Sequence, residues 1–402
     1  MTHLATFVSY SIPLRPHANN GKDGHFSLIH IPLPLYSALI QPILRVLLPH
    51  GAPEQANGNS GPEGLLEGLS ADNKHGFLNI SVTPIECSIV CHTTWAQNVF
   101  EPVINRLSPD LSKQVQISKD SYIVFSVSSA GMEAGQRVMD LTAPLAMAGI
   151  PIFFITTYYT DFILVPSKDR QSLVKALVAR GFEFSESDAA YVTPTPISHS
   201  RGPSTSSDPP STPPPSNVAE LQIRTFNHLR KRKVVPFVEP NLHLVQCSGK
   251  EAGSEDDYNT RPMSHSSGSD QTSWLDNIDS KFFLGLVSAL VLQPKFLSVT
   301  LAQDDAPSLL VDKSLLWLFG SSVAGDTDSD MVPIFLDLVD LPLESTGIVC
   351  GVAGKLVDEM RLNETGMNGS ELSYLSTARA GAVILSSEGS ARAVEVLQPL
   401  LD

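Results

Sequence analysis

One group of thiol and imidazole side chains is spaced closely enough to be considered as a metal site. Cys87, Cys91 and His92 lie close together, but Cys247 and Cys350 stand alone. A zinc site needs a second pair of ligands, usually at short spacing. Positions four apart in a strand share a face. We therefore predict that Cys87 and Cys91 are buried core residues and that no metal is bound.

A second candidate group is formed by Gly347, Gly351 and Gly354, whose spacing differs from that of a dinucleotide-binding loop. Gly347 could direct the free N–H groups of a helix start at a ligand carboxylate. A tight turn with close helix packing would explain the same residue. Both interpretations stay open at Gly347, and we predict packing roles for Gly351 and Gly354.

Other chemistry-bearing groups give weaker signals. The basic run RKRK at 230–233 could serve nuclear import or bind an acidic partner, although the solvated end of a linker explains it too. The sequence shows no Ser, His and Asp arranged in the order of a catalytic triad. It also shows no pair of carboxylates at turns where a catalytic site would be expected. We predict that the protein is not an enzyme and that it uses no cofactor.

Composition places the chain among globular proteins and excludes several classes. Its 402 residues include 27 Lys and Arg and 42 Asp and Glu, a net charge of −15, with 42% hydrophobic residues. Such a chain is too acidic for a nucleic-acid binder and too apolar for a disordered one. The uncharged stretch 141–160 has the length of a membrane span, but Pro144, Gly149 and Pro151 interrupt it. We predict a helix ending near Gly149, a buried strand after it, no membrane span and a cytoplasmic location.

Three polar tracts divide the chain. Residues 194–217 contain eight prolines, and we predict that 194–233 is a Pro/Ser-rich linker with a basic end. The tract 249–273 is predicted to be a disordered insertion, and 52–64 a loop insertion.

An internal repeat of 220 residues organises what lies between these tracts. Segment 155–169 aligns with 375–389 without a gap, so that Thr157 meets Thr377 and Ile163 meets Val383. Two weaker copies follow the same order of elements. Each copy starts with a strand and a helix, and the four predicted first strands are 26–31, 122–127, 238–245 and 332–338. The pattern predicts an α+β fold of four βαββα units in two tandem pairs, with helices on one face of antiparallel sheets. The predicted units are 24–118 (unit 1), 119–193 (unit 2), 234–328 (unit 3) and 329–402 (unit 4).

The motifs of units 2 and 4 resemble a known family. Residues 126–129 (SVSS), 143–146 (APLA) and 157–165 (TYYTDFILV) are similar to the second ACT domain of the CASTOR family of cytosolic arginine sensors. Residues 347–354 (GIVCGVAG), with Ser376 and Thr377, resemble that family's fourth ACT domain. The resemblance implies four ACT-like βαββαβ units, a ligand between units 2 and 4, a homodimer formed through units 1 and 3, and no catalysis. It also implies signalling to a GATOR-type complex upstream of the TOR kinase. The aspartokinase regulatory domain has a similar architecture.

The resemblance assigns ten residues to a ligand site. They are Pro151, Ile152, Leu343, Glu344, Ser345, Thr346, Gly347, Thr377, Ala378 and Gly381.

Four of these ten residues depart from the family's arginine pocket. Pro151 replaces a serine, Ser345 an acid, Ala378 an aromatic residue and Gly381 an aspartate. A buried guanidinium needs a carboxylate or several carbonyls opposite it. We therefore expect arginine to bind weakly or not at all, and a small neutral or acidic amino acid to be the ligand.

The family's partner-contacting element corresponds to Tyr158, Tyr159, Thr160 and Asp161. An exposed Tyr–Asp pair would suit such a contact, and simple packing of the tyrosines is the alternative. Two other functions stay open beside an amino-acid sensor. One is an ACT scaffold whose pocket has decayed, and the other is a regulatory subunit of an amino-acid biosynthetic enzyme.

Overall fold

The computed structural model describes residues 13–16, 24–48, 76–127, 134–184, 215–250, 278–302, 305–363 and 372–402. The predicted loop 52–64, most of the predicted insertion 249–273 and the proline-rich part of the predicted linker lie outside these residues.

Seventeen strands occur in the described residues. They are β1 (Pro13–Pro16), β2 (Phe26–Pro32), β3 (Phe77–Val82), β4 (Glu86–His92), β5 (Gln116–Ile117), β6 (Tyr122–Val127), β7 (Phe153–Thr156), β8 (Asp161–Pro166), β9 (Glu183–Phe184), β10 (Pro236–Val238), β11 (Leu244–Gly249), β12 (Leu297–Ala302), β13 (Asp305–Asp312), β14 (Val323–Ala324), β15 (Met331–Asp337), β16 (Ser373–Ser376) and β17 (Ala380–Ser386).

The α-helices of the described residues are α1 (Tyr36–Leu47), α2 (Thr93–Trp95), α3 (Glu101–Ile104), α4 (Pro109–Ser112), α5 (Ala134–Met147), α6 (Arg170–Val178), α7 (Val218–Lys231), α8 (Ser280–Val291), α9 (Ile348–Asn363) and α10 (Ser387–Leu401). A π-helical turn, Ala96–Phe100, joins α2 to α3, and short 3₁₀ helices occupy Leu33–Leu35, Ser167–Asp169 and Lys313–Leu318.

Twelve of the strands join in one closed, antiparallel sheet. Its first half runs β2, β4, β3, β12, β13, β11, and its second half runs β6, β8, β7, β16, β17, β15. The two halves are joined at their outer strands by one residue pair each. Phe26 of β2 pairs with Tyr122 of β6, and Leu244 of β11 pairs with Met331 of β15. Each half thus combines strands of two units that are not adjacent in the chain.

Successive residues of a strand face opposite sides of the sheet, and the buried ones therefore belong to different hydrophobic cores, of which three are large. In β8, Ile163 and Val165 belong to a core shared with α5, α6, α7, α9 and α10, whereas Phe162 and Leu164 belong to a core between the two halves of the sheet. The rings of Phe77 and Phe162 meet in that inner core, with centroids 5.0 Å apart. A third core lies between the first half and the helices α1, α2 and α8. The molecule is therefore layered as helices, sheet, sheet, helices, with each helix layer on one face of its half.

The α+β class and the antiparallel pairing predicted from the sequence are confirmed. The predicted strand 238–245 is wrong, because β10 ends at Val238 and β11 begins at Leu244. Pro240 lacks an N–H for a ladder, and Asn241 adopts a φ of +59°, which asparagine tolerates better than most residues.

The predicted linker 194–233 contains a helix that the sequence interpretation missed. Asn217 caps α7, since its side chain accepts a hydrogen bond from Glu220 N at 2.8 Å. Leu221, Phe226 and Leu229 are buried. The basic run ends α7, and the Arg230 guanidinium donates to the Leu400 carbonyl at 2.9 Å. The proline-rich composition before the helix concealed an ordinary amphipathic pattern.

Two glycines of α9 allow close packing of neighbouring helices, Gly351 against α7 and Gly354 against α5 and α7. A Cβ at Gly351 would lie 2.7 Å from Thr225 Cγ2, and one at Gly354 would lie 2.6 Å from Met139 Cε of α5. These contacts agree with the packing roles predicted for Gly351 and Gly354. Within the described ranges, no helix combines the length and hydropathy needed to cross a bilayer.

Replacing Gly351 with Ala tests the docking of α7. We expect the free energy of unfolding, measured by urea titration, to fall by about 1–3 kcal/mol, because the added methyl overlaps Thr225. In the double variant Gly351→Ala/Thr225→Ala the loss should be smaller than the sum of the two single losses. Strictly additive losses would show that α7 does not rest on Gly351.

Candidate functional site

A cavity of about 50 Å³ lies between units 2 and 4. Unit 2 contributes Thr142 and Ala146 of α5 with Ile152 and Phe153 at the entrance to β7. Unit 4 contributes the loop before α9, the first turn of α9 and the hairpin β16–β17. A single water needs about 10–15 Å³ of such space, so the cavity has room for several waters or a comparably small ligand.

The structure brings seven of the ten predicted ligand-binding residues together. Those lining the cavity are Ile152, Leu343, Ser345, Gly347, Thr377, Ala378 and Gly381. Pro151, Glu344 and Thr346 are not among the lining residues. That any of the ten binds a ligand stays a prediction.

The start of α9 forms one wall of the cavity. Gly347 precedes the helix with a φ of +81°, a conformation that favours glycine. Its carbonyl accepts from Gly351 N at 2.7 Å and from the Thr225 hydroxyl at 3.3 Å. The N–H groups of a first helical turn have no partner within the helix and carry the positive end of its dipole. Ile348, Val349 and Cys350 line the cavity, so this wall suits a carboxylate.

No lining residue of the cavity, among those the structure describes, is an acid or a base. Glu344 is exposed, and its charge acts on Tyr122, whose pKa is raised to about 12 by burial and, to a smaller degree, by Glu344. The cavity therefore offers a helix dipole but no side-chain counter-charge.

The turn between β16 and β17 is held by unit 1. The Glu86 carboxylate, which is fully buried, accepts from the Thr377 hydroxyl at 2.6 Å and from Arg379 N, and His30 Nδ1 lies 2.5 Å from it. Ala378 N donates to the Ser88 hydroxyl at 3.0 Å. The sequence interpretation missed Glu86, although an acid at the start of an apolar strand is a signal that could have found it.

Arg379 turns away from the cavity. Its guanidinium donates to the Leu341 carbonyl at 2.8 Å and to the Gln116 side chain. The side chain thereby ties the loop before α9 and unit 1 to the hairpin turn, and it does not line the cavity.

The corresponding turn of unit 2 lies against unit 3 in the same way. Tyr158 N donates to the Ser308 hydroxyl at 2.9 Å, and the Tyr158 ring covers Gly325. Ser308 lies 220 residues after Ser88, the same offset as in the sequence repeat. Position 306, the counterpart of Glu86, is an alanine, so the carboxylate contact has no equivalent at this turn.

The predicted exposed Tyr–Asp contact is wrong for Asp161. Its side chain is buried and its Oδ2 accepts from Arg137 Nε at 3.0 Å. Burial raises the pKa of Asp161, and the neighbouring Arg137 guanidinium acts to lower it. Tyr158 is half-buried, whereas Tyr159 is 60% exposed. Within the described element 158–161, the accessible side chains are therefore those of the two tyrosines, and their contact with a partner stays a prediction.

The cysteines are buried, as predicted for Cys87 and Cys91. Burial raises the pKa of Cys350 to about 11 and that of Cys247 to about 12, so these thiols stay protonated and unreactive. In the part of the chain that the structure describes, no group of three His, Cys, Asp or Glu side chains is placed to hold a metal ion.

Comparison with protein families identifies one segment of the chain. Residues 117–179 match the family model of the ACT domain. The chain contains an ACT domain. This domain comprises β6, α5, β7, β8 and α6 and supplies the unit 2 side of the cavity. Sequence comparison with curated proteins finds no match.

Several solved structures are similar to parts of the chain. Aspartate kinase from Synechocystis is 9% identical over 97% of this chain and 56% of its own, with a TM-score of 0.30. The ligand-free regulatory subunit of aspartate kinase from Thermus thermophilus is 15% identical over 41% of this chain and 100% of its own, with a TM-score of 0.22. Protein Atu0741 from Agobacterium tumefaciens is 18% identical over 44% of this chain and 92% of its own, with a TM-score of 0.25. Likenesses this weak support no inference about function.

Replacing Thr377 with Val tests the contact between unit 1 and the cavity wall. The variant removes a hydroxyl that donates to the buried Glu86 carboxylate, so we expect urea titration to show a loss of about 1.5–3 kcal/mol in the free energy of unfolding.

Thr157→Val is the matched control for this experiment. Thr157 occupies the same turn of the repeat, and its hydroxyl donates to the Thr160 carbonyl, as the Thr377 hydroxyl can to the Ala380 carbonyl at 3.2 Å. The position of Glu86 is an alanine in this copy of the repeat. We expect a smaller loss there. Equal losses in the two variants would show that the Glu86 contact adds nothing to stability.

Proposed function

We propose that this protein is a non-catalytic regulatory protein that binds a small amino acid between its ACT domain and unit 4. The observation that carries the proposal is the cavity at this junction, because the first turn of α9 and seven predicted ligand residues line it. Binding there would change the relative stability of the arrangements of units 2 and 4, and thus link occupancy to conformation.

The uncharged lining of the cavity supports a ligand other than arginine. A guanidinium placed there would be desolvated without a carboxylate opposite it. Replacing Gly381 with aspartate would not supply this carboxylate without rearrangement, because a Cβ at Gly381 would lie 2.8 Å from the Tyr374 hydroxyl. In this proposal, the α-carboxylate of the bound amino acid lies at the start of α9.

The resemblance to the CASTOR family and the element order support a finer form of the proposal. In it, each of the four units is an ACT-like module, and the protein is a cytoplasmic sensor that reports to a GATOR-type complex in the TOR pathway. Tyr159 is the exposed member of the element that would contact this partner. A decayed-pocket scaffold is the alternative that ligand measurements distinguish.

A thermal-shift panel of the twenty amino acids tests the ligand proposal. A ligand present at 100 times its Kd adds about 2.7 kcal/mol to the free energy of unfolding, a visible shift. We expect a small neutral or acidic amino acid to give this shift and arginine to give none. No shift with any amino acid would favour the decayed scaffold.

Two variants at one position identify the carboxylate wall. Ile348→Pro removes one N–H from the first turn of α9, where proline is tolerated, and we expect weaker binding of the amino acid found in the panel. Ile348→Ala shortens the side chain but keeps the N–H and is the matched control. Equal affinities of the two variants would place the carboxylate elsewhere.

We also propose a homodimer formed through the helix layer of units 1 and 3. This layer exposes Leu284 and Val291 of α8, Leu292 directly after that helix, and Trp317, which is 72% exposed. Light scattering at tens of micromolar should give twice the chain mass.

A charged substitution in this layer tests the dimer. Leu284→Glu should give a monomer, whereas Val178→Glu, in the exposed apolar position on α6, should leave the dimer intact. A monomeric wild type would contradict the proposal.

A further inference from the structure

A buried hydroxyl without a partner borders the cavity. Tyr374 of β16 is 1% exposed, and its hydroxyl has no hydrogen-bond partner among the described residues. Buried hydroxyls are nearly always paired, and leaving one unpaired costs free energy. Burial raises the pKa of Tyr374, so the hydroxyl keeps its proton and can both donate and accept.

The internal repeat shows that packing alone does not require this hydroxyl. Phe154 of β7 lies 220 residues earlier, is fully buried and pairs with Ile163 in the same register in which Tyr374 pairs with Val383. Its N–H donates to the Ser376 hydroxyl at 3.0 Å, and Tyr374 N donates to the Thr156 hydroxyl at 3.0 Å. The two positions are therefore matched, and a phenyl ring suffices at one of them.

The neighbouring position of the repeat has changed as well. Gly381 aligns with Asp161, and each pairs with the last residue of the adjacent strand, Ser376 and Thr156 respectively. At Asp161 the space holds an ion pair with Arg137. At Gly381 the absence of a side chain leaves room for the Tyr374 hydroxyl, and both residues line the cavity.

We propose that the Tyr374 hydroxyl selects the ligand, which is a small amino acid with an uncharged side chain that forms hydrogen bonds. This inference rests on the proposed function. The start of α9 takes the carboxylate, the small volume excludes long side chains, and the unpaired hydroxyl recognises a hydroxyl group at the other end of the ligand.

Pairs of amino acids that differ by one hydroxyl test the inference by calorimetry. Serine is compared with alanine, and threonine with valine, which has nearly the same shape. The wild type should bind the hydroxyl-bearing member of each pair about tenfold more tightly. Tyr374→Phe should bring the two members of a pair to within about twofold, by weakening serine and threonine and leaving alanine and valine unchanged.

The melting temperature of the ligand-free protein shows whether the Tyr374 hydroxyl serves ligand recognition or the stability of the fold. Tyr374→Phe should melt at the same temperature as the wild type or higher, because the hydroxyl it removes has no partner. Tyr36→Phe is the matched control, because it removes a buried tyrosine hydroxyl that does have a partner. The Tyr36 hydroxyl of unit 1 donates to the Leu290 carbonyl of unit 3 at 2.8 Å. That variant should melt lower and keep the wild-type preference within each pair.

The outcomes distinguish this inference from the proposed function. Binding of amino acids without preference within the pairs, or a preference that survives in Tyr374→Phe, overturns the role of Tyr374 alone. If none of the twenty amino acids binds, both the inference and the proposed function fall.

Discussion

Pairing of strand edges is the constraint on which the rest of this structure depends. An open edge exposes a row of unpaired N–H and C=O groups, and each unit alone would have such edges. Here β3 pairs with β12 and β7 meets β16, so units 1 and 3 complete one another, as do units 2 and 4. This arrangement carries the turns of units 2 and 4 onto units 3 and 1. The cavity forms beside one of those turns.

The two joints between units differ in a way that matters for a binding site. The β3–β12 joint has six residue pairs, and Asn79 and Ser81 add side-chain hydrogen bonds across it. The β7–β16 joint has one residue pair, and the hydroxyls of Thr156 and Ser376 accept from backbone N–H groups there. The β7–β16 joint therefore has fewer backbone hydrogen bonds than the β3–β12 joint to resist a change in the relative orientation of units 2 and 4. The cavity lies at this weaker joint.

Glu86 connects this cavity to the other half of the molecule. Its buried carboxylate requires several donors, since a buried charge without partners is strongly unfavourable. Thr377, Arg379 and His30 supply them from two different units. Any movement of the Thr377 turn on ligand binding must therefore be accommodated in unit 1.

The sequence alone determined the fold class, the repeat and most of the strands, because alternation of apolar residues and an offset of 220 residues are local patterns that need no knowledge of contacts. It also indicated the residues around Gly347 and Thr377. It did not reveal that Asp161 is paired internally with Arg137, that Glu86 holds the Thr377 turn or that α7 covers Gly351. The contacts of Glu86 follow from the way the strand edges pair, and they join residues 291 and 293 positions apart. The Asp161–Arg137 pair and the packing of α7 on Gly351 follow from the way the helices dock. Only the tertiary structure decided that the Tyr374 hydroxyl is unpaired and faces Gly381, because the same strand register places a phenylalanine and an aspartate at these positions in the other copy of the repeat.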